Sequence, residues 1–306
     1  MFKNNIKVSI FLIAYITFSI ISHQRPLITW LDKIIDFSTF SGISAFLFLQ
    51  ALSVLLWVLL LTTFFIISIR LGKFVAIILL LLSATAEFWM TSIGIVINQE
   101  LIASIFFTNY SEASGFLNQR YLLHLFLMGI IPSILVALVP IQRINRLRLT
   151  VYPIGSIAII LALTNIAPTL TNWVDKNGAN LGSRLLPWSY IGKTIGYAQD
   201  MNGGFYDRYY GKFVQLPDGT IADADPGLVV LVIGESSRAA SYSYYGYDRP
   251  INYATQKVGF IALPKSQSCA TNTMTTTGCI LSVKGRQDWT EEATEPLPSY
   301  LPTFIA

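Results

Sequence analysis

Charge is scarce in this sequence: only 12% of its 306 residues are Asp, Glu, Lys or Arg, whereas 53% are hydrophobic. Soluble domains carry about 25% charged side chains, so the deficit excludes an ordinary water-soluble globule. Histidine and cysteine are rarer still, with two of each. His23 ends the first apolar run and His124 lies inside the fourth, where they read as an interfacial and a packing residue rather than as metal ligands. A Walker loop, a dinucleotide fingerprint, a C-x-x-C pair, a serine-centred elbow and internal repeats are all missing, which removes the enzyme classes that those signatures carry.

What is abundant is uninterrupted apolar sequence. Five runs, at 8–22, 43–69, 74–97, 121–141 and 151–168, approach the roughly 20 residues needed to cross a bilayer. The first follows Lys3 and Lys7 like a signal peptide, but "ISHQRPLITW" has no small-x-small cleavage site, so it reads as a retained helix. Lys3, Lys7, Arg70, Lys73, Arg143, Arg146 and Arg148 fall on one side of the five crossings, and only Arg25, Lys33 and Arg120 on the other. The positive-inside rule then predicts a cytoplasmic N-terminus and an exported segment after about residue 169. The net charge of +4 is a product of this topology and implies no nucleic-acid partner. Glu87 falls inside the third run, where a carboxylate is costly and often functional; access to water or a neutral, protonated state are the alternatives.

Residues 169–225 read as a linker with short amphipathic helices lying on the membrane surface or against the domain that follows. After "DADPG" comes "LVVLVIGESSR", residues 228–238, whose six consecutive apolar residues predict a short buried strand of a parallel sheet. Glu235 would stand just past its C-terminal end, where α/β folds place ligands, or would be a solvated turn residue. Both cysteines bracket a threonine-rich loop, "SCATNTMTTTGC". In an exported, oxidising compartment Cys269 and Cys279 read as a disulfide that closes a short loop and adds on the order of 2–3 kcal/mol. A threonine hydroxyl needs a base or a metal to become a nucleophile, so a surface loop is the competing reading.

The two segments "VVLVIGESSRAASYSYYGYDRP" and "SCATNTMTTTGCILS" resemble the start of the catalytic domain of the bacterial phosphoethanolamine transferases. The resemblance implies an α-helical membrane domain of five transmembrane helices (1–168) in the bacterial inner membrane, a periplasmic linker (169–225) and the N-terminal portion of an α/β alkaline-phosphatase/sulfatase-like domain (226–306). It implies zinc as cofactor, Glu235 as the first zinc-binding carboxylate, Thr273 as both metal ligand and phosphoethanolamine-accepting nucleophile, and Cys269–Cys279 as a family disulfide. Arg238, Gly246, Tyr247 and Arg249 match a structural segment.

Upstream, "NQELIASIFFTNYSEA" resembles the family's headgroup-holding loop, with Thr108 and Glu112 on its polar positions and Ser104 where relatives often carry Asn. The implied donor is phosphatidylethanolamine and the implied acceptor lipopolysaccharide, through lipid A or core sugar, or another envelope glycolipid. Two other readings stand beside it: a phosphoglycerol-type transferase of the same superfamily, and a non-enzymatic membrane remnant. A true sulfatase is disfavoured because its C/S-x-P-x-R signature is missing. The ending "PSYLPTFIA" reads as an apolar helix without a stop, so the expectation is a C-terminally truncated, marginally stable exported part that is inactive in isolation.

Overall fold

The first crossings are apolar on all sides, so packing and not an apolar stripe decides which face of each helix is buried. A computed structural model of the chain describes residues 5–142, 145–202, 230, 232–234, 238–249, 263, 267–268, 276–277 and 279–280, and divides into two units, Met1–Ala198 and Gln199–Ala306. In the first unit, α1 (Val8–His23) is followed by α2 (Arg25–Leu31), α3 (Phe40–Ile67), α4 (Ile69–Ser92), α5 (Gln99–Phe107) and α6 (Tyr110–Gly115). Then come α7 (Gln119–Leu138) and α8 (Arg146–Ile166), and three shorter helices, α9 (Pro168–Lys176), α10 (Gly178–Arg184) and α11 (Trp188–Asn202).

Among the described residues, α3, α4, α7 and α8 are each long and apolar enough to cross a membrane, and the bent pair α1–α2 makes a fifth crossing if its two helices count as one. The chain is therefore a multi-pass membrane protein. At 1.5 Å per residue, the 16 residues of α1 span about 24 Å, short of the roughly 30 Å hydrocarbon core. The chain bends by 58° at Gln24 and continues as α2.

α4 is the central helix. Its buried face runs Gly72, Ala76, Leu79, Leu80, Ser83, Ala84, Glu87 and Met90, and the small residues in it let neighbouring helices approach closely, as helix packing in lipid requires. Phe11, Tyr15, Trp57 and Phe65 interlock edge to face across α1 and α3, and the Tyr15 hydroxyl donates to the Ala76 carbonyl at 2.8 Å. Ser68, the single residue between α3 and α4, accepts from the Leu71 N–H and so caps α4. A Cβ at Gly72 would stand 2.6 Å from the Phe65 ring, so the α3–α4 hairpin closes because residue 72 has no side chain.

These details revise the expected boundaries. Arg70 and Lys73 lie within the first turns of α4, since Ser68 starts the helix earlier than the apolar run does. Lys73 Nζ donates to the carbonyls of Ala137 (2.9 Å) and Val139, satisfying the C-terminal end of α7. At the other end, Gly94 takes a left-handed φ of +73° and the helix stops at Ser92, although the apolar run continues to residue 97. Ile97 instead folds back and is buried.

α7 contains a π turn, Leu125–Ile130. Pro132, which follows it, has no N–H for the Met128 carbonyl four residues earlier. That carbonyl is a polar neighbour of the His23 ring on α1, near but not in well-aligned hydrogen-bond geometry.

Ile6 exchanges backbone hydrogen bonds with Pro140 (2.8 Å) and Gln142 (2.9 Å). Together with the Lys73 contacts this gathers Lys7, Lys73, Arg146 and Arg148 at one end of the bundle, as the charge asymmetry requires. The opposite end carries the segment 93–118 and helices α9–α11. There Leu27, Leu31, Ile35, Leu49, Leu181 and Leu185 form a second buried cluster, Gln24 Nε2 donates to the Leu186 carbonyl at 2.7 Å, and Arg184 lies over the Trp30 ring at 5.5 Å.

In the second unit the described residues form two 3₁₀ turns, Ala239–Ser241 and Ser243–Tyr245, ended by Gly246 at φ +95°. That conformation favours glycine and suits the structural reading of "GYDR". The expected α/β domain, 226–306, lies mostly outside the described residues; among those described the only β pairing is the isolated Ile6–Ile141 bridge, and Val230, Val232 and Ile233 of the expected strand are not in one.

Replacing Gly72 with Ala should drive a methyl group into Phe65 and destabilise the bundle by about 1–3 kcal/mol. Thermal unfolding of the purified chain in detergent measures this, and an unchanged melting temperature would refute the hairpin contact.

Candidate functional site

The segment between α4 and α7 is built to stay at the membrane end that bears α9–α11. Asn98 accepts from the Leu101 N–H at 2.8 Å and starts α5, whose Ile102 and Ala103 are buried. Phe106 stacks on Tyr197 of α11, with ring centroids 5.4 Å apart and planes within 12°. Gly196 accommodates the Gln99 side chain, whose amide nitrogen would lie 2.4 Å from a Cβ at that position. These contacts hold α5 as a shelf against α11.

Ser104 and Thr108 are one helical turn apart, on the exposed face of that shelf. The Ser104 hydroxyl donates to the Glu100 carbonyl at 2.8 Å, and the Thr108 hydroxyl to the Ser104 carbonyl at 2.6 Å. Each proton is thereby committed to the helix, and the outward lone pairs remain free to accept. The pair suits a ligand that donates hydrogen bonds, as an ammonium group does. Glu112 lies in α6, one element further along.

The remaining expected site residues, Glu235, Thr273 and Cys269, fall outside the described residues. Around them, the Ser268 and Thr276 hydroxyls lie 2.9 Å apart, which ties the two ends of the threonine loop together. Cys279 is buried and is not a free thiol. Among the described residues no group of three His, Cys, Asp or Glu side chains could hold a metal ion, so the described part does not by itself fit zinc, and no chemical step is routed through one.

One constellation was not assembled from the sequence. Glu87 on α4 is 4% exposed, and its Oε2 lies 2.9 Å from Nε2 of His124 on α7. The Thr91 hydroxyl donates to its other oxygen at 3.1 Å. The Glu87–His124 contact is short but lies off the line of a directional hydrogen bond. The signal available in sequence was two membrane-depth polar residues, each six positions from the end of the segment 93–118 that joins their helices, and these were read separately.

Comparison with known proteins adds to this geometry. Residues 54–201 match a family model described as "Phosphoethanolamine transferase EptA/EptB". The chain is 26% identical over 240 residues to the phosphoethanolamine transferase EptA of Helicobacter pylori, an alignment covering 77% of this chain and 44% of that protein. It is 24% identical over 226 residues to the phosphatidylethanolamine transferase Mcr-1 of Escherichia coli, covering 71% and 42% respectively. The match thus spans less than half the length of these curated relatives. Among solved structures, the integral membrane lipooligosaccharide phosphoethanolamine transferase A (EptA) from Neisseria meningitidis superposes with a TM-score of 0.66 over 91% of this chain and 53% of that one, at 22% identity. That likeness speaks for the fold.

Two outcomes test this part of the molecule. A double-mutant cycle on Phe106→Ala and Tyr197→Ala, read by thermal unfolding, should give a coupling of about 0.5–1.5 kcal/mol; additive losses would mean that α5 is not docked on α11. Cys279 in the intact, unreduced chain should resist a maleimide reagent and become reactive after reduction; labelling before reduction would contradict its bonded state.

Proposed function

Because the chain belongs to the phosphoethanolamine transferase family, we propose that it handles phosphoethanolamine at the outer face of a bacterial inner membrane, with its N-terminus cytoplasmic. On this reading residues 1–168 anchor the chain, 169–225 link, and 226–306 carry the start of a periplasmic catalytic part. The observation that carries the reading is the shelf at α5, where Ser104 and Thr108 turn acceptor lone pairs outward inside the stretch that matches the family model. With Glu112 nearby in sequence, it suits the ammonium of phosphatidylethanolamine, because a carboxylate and two acceptor oxygens favour a cation that donates hydrogen bonds.

The proposed chemistry is a two-step transfer through Thr273. Its Oγ gives up a proton and attacks the phosphorus of the donor's phosphodiester; the new Oγ–P bond forms as the bond to the glycerol oxygen breaks, and diacylglycerol leaves with a proton. A hydroxyl or phosphate oxygen of lipopolysaccharide, at lipid A or the core, then attacks the same phosphorus; the new O–P bond forms as the Oγ–P bond breaks, and the Thr273 hydroxyl regains a proton from the attacking hydroxyl or from water. Dividing the transfer in this way replaces one difficult displacement by two easier ones. Zinc, when bound with Glu235 and Thr273 among its ligands, would neutralise charge on the transferring group. The Cys269–Cys279 disulfide would hold the loop that presents Thr273, and the hydroxyl contact between Ser268 and Thr276 supports such a closed loop.

Intact-mass analysis after incubation with phosphatidylethanolamine and zinc tests the proposal. The expected result is a phosphoethanolamine adduct that maps to Thr273, is lost in Thr273→Ala and survives in Thr271→Ala. A chain that stays unmodified while a full-length relative reacts in the same assay would overturn the transfer reading and leave a non-enzymatic membrane protein.

A further inference from the structure

The segment 93–118 hangs from two feet, the end of α4 at Ser92 and the start of α7 at Gln119. Directly beneath it the two helices meet along a seam. A Cβ on Gly129 would lie 3.4 Å from that of Ala84, the hydroxyls of Thr85 and Tyr121 are 3.1 Å apart, and the Phe88 ring lies 5.4 Å from Tyr121 and 5.3 Å from His124. Glu87 and His124 are the ionisable pair in this seam, 2.9 Å apart.

A carboxylate buried at membrane depth is tolerated when it is paired, and such residues mark working parts of membrane proteins. His124 also immediately precedes the π turn Leu125–Ile130, a backbone form that recurs at functional sites. The two side chains thus meet across the seam without a directional hydrogen bond that would fix the rotation of their helices. A third helix comes near: His23, at the end of α1, has His124 and the Met128 carbonyl as polar neighbours.

We propose that Glu87 and His124 form an interhelical latch that sets the separation of the two feet of segment 93–118 and thereby positions Ser104, Thr108 and Glu112. Both are positioning residues and touch no reacting atom. The latch stands on geometry alone; only its consequence for headgroup binding rests on the transferase reading.

The test uses the full chain in lipid nanodiscs, with spin labels on ketone-bearing residues introduced at Ile93 and Leu117, which are both exposed, so that the cysteines stay untouched. Pulsed dipolar spectroscopy should give one narrow distance distribution. Glu87→Ala and His124→Ala should each lengthen and broaden it, and the exchanged pair, Glu87→His with His124→Glu, should restore it. Single variants that leave the distribution unchanged, or an exchanged pair as broad as either single, would overturn the latch. Should either alanine variant fail to fold, Glu87→Gln, which keeps the side-chain shape, replaces it with the same expectation of broadening. The readout involves no transfer chemistry, so a failed Thr273 adduct leaves it standing, and a failed latch leaves the adduct test standing.

Discussion

Inside hydrocarbon no water accepts or donates a hydrogen bond, so each polar group that a helix turns inward is stabilised only by a partner that the protein supplies. The bundle is organised by that constraint. Tyr15 reaches the Ala76 carbonyl, Lys73 the end of α7, Gln24 the Leu186 carbonyl, Thr85 the Tyr121 hydroxyl, and Ser83 the Tyr190 hydroxyl at 3.1 Å. Each of these contacts joins different segments. The leucines and isoleucines around them pack nearly as well against lipid as against each other, so the polar stitches and the small residues of α4 select one arrangement.

The same logic places the exposed chemistry. Apolar faces of α5 and α11 pack together through Phe106 and Tyr197, which leaves the hydroxyl face of α5 turned outward at the end of the bundle that also carries α9–α11. A loop of this length between two crossings would otherwise sample many positions over the bilayer. Here it is secured both at its middle, by the aromatic stack, and at its feet.

Much of the membrane part was legible in the sequence because hydropathy reports helices that face lipid. The α3–α4 boundary was misplaced because a single capping serine and a glycine beneath a phenylalanine decide it, and neither changes average hydropathy. The end of α4 was misplaced for the opposite reason: "IGIVI" is apolar, but the helix has ended before it, Gly94 takes a left-handed φ, and within the stretch only Ile97 is buried. Ser104 and Thr108 were singled out by a family pattern, whereas the pairing of Glu87 with His124 was not, since a contact between separate helices leaves no local periodicity. Glu235, Thr273 and Cys269 lie outside the described residues and rest on sequence resemblance.

The small bridge between Ile6 and Ile141 bears on biogenesis. Its two backbone hydrogen bonds join the residue just ahead of the first crossing to the residue just beyond α7, so it cannot form until α7 has left the insertion machinery and returned the chain to the starting side. Until then the backbone of Ile6 lacks these partners. Synthesis therefore passes through a stage in which the first helices have been made but this bridge is open, and its closure ties the N-terminal end of α1 to the C-terminal end of α7.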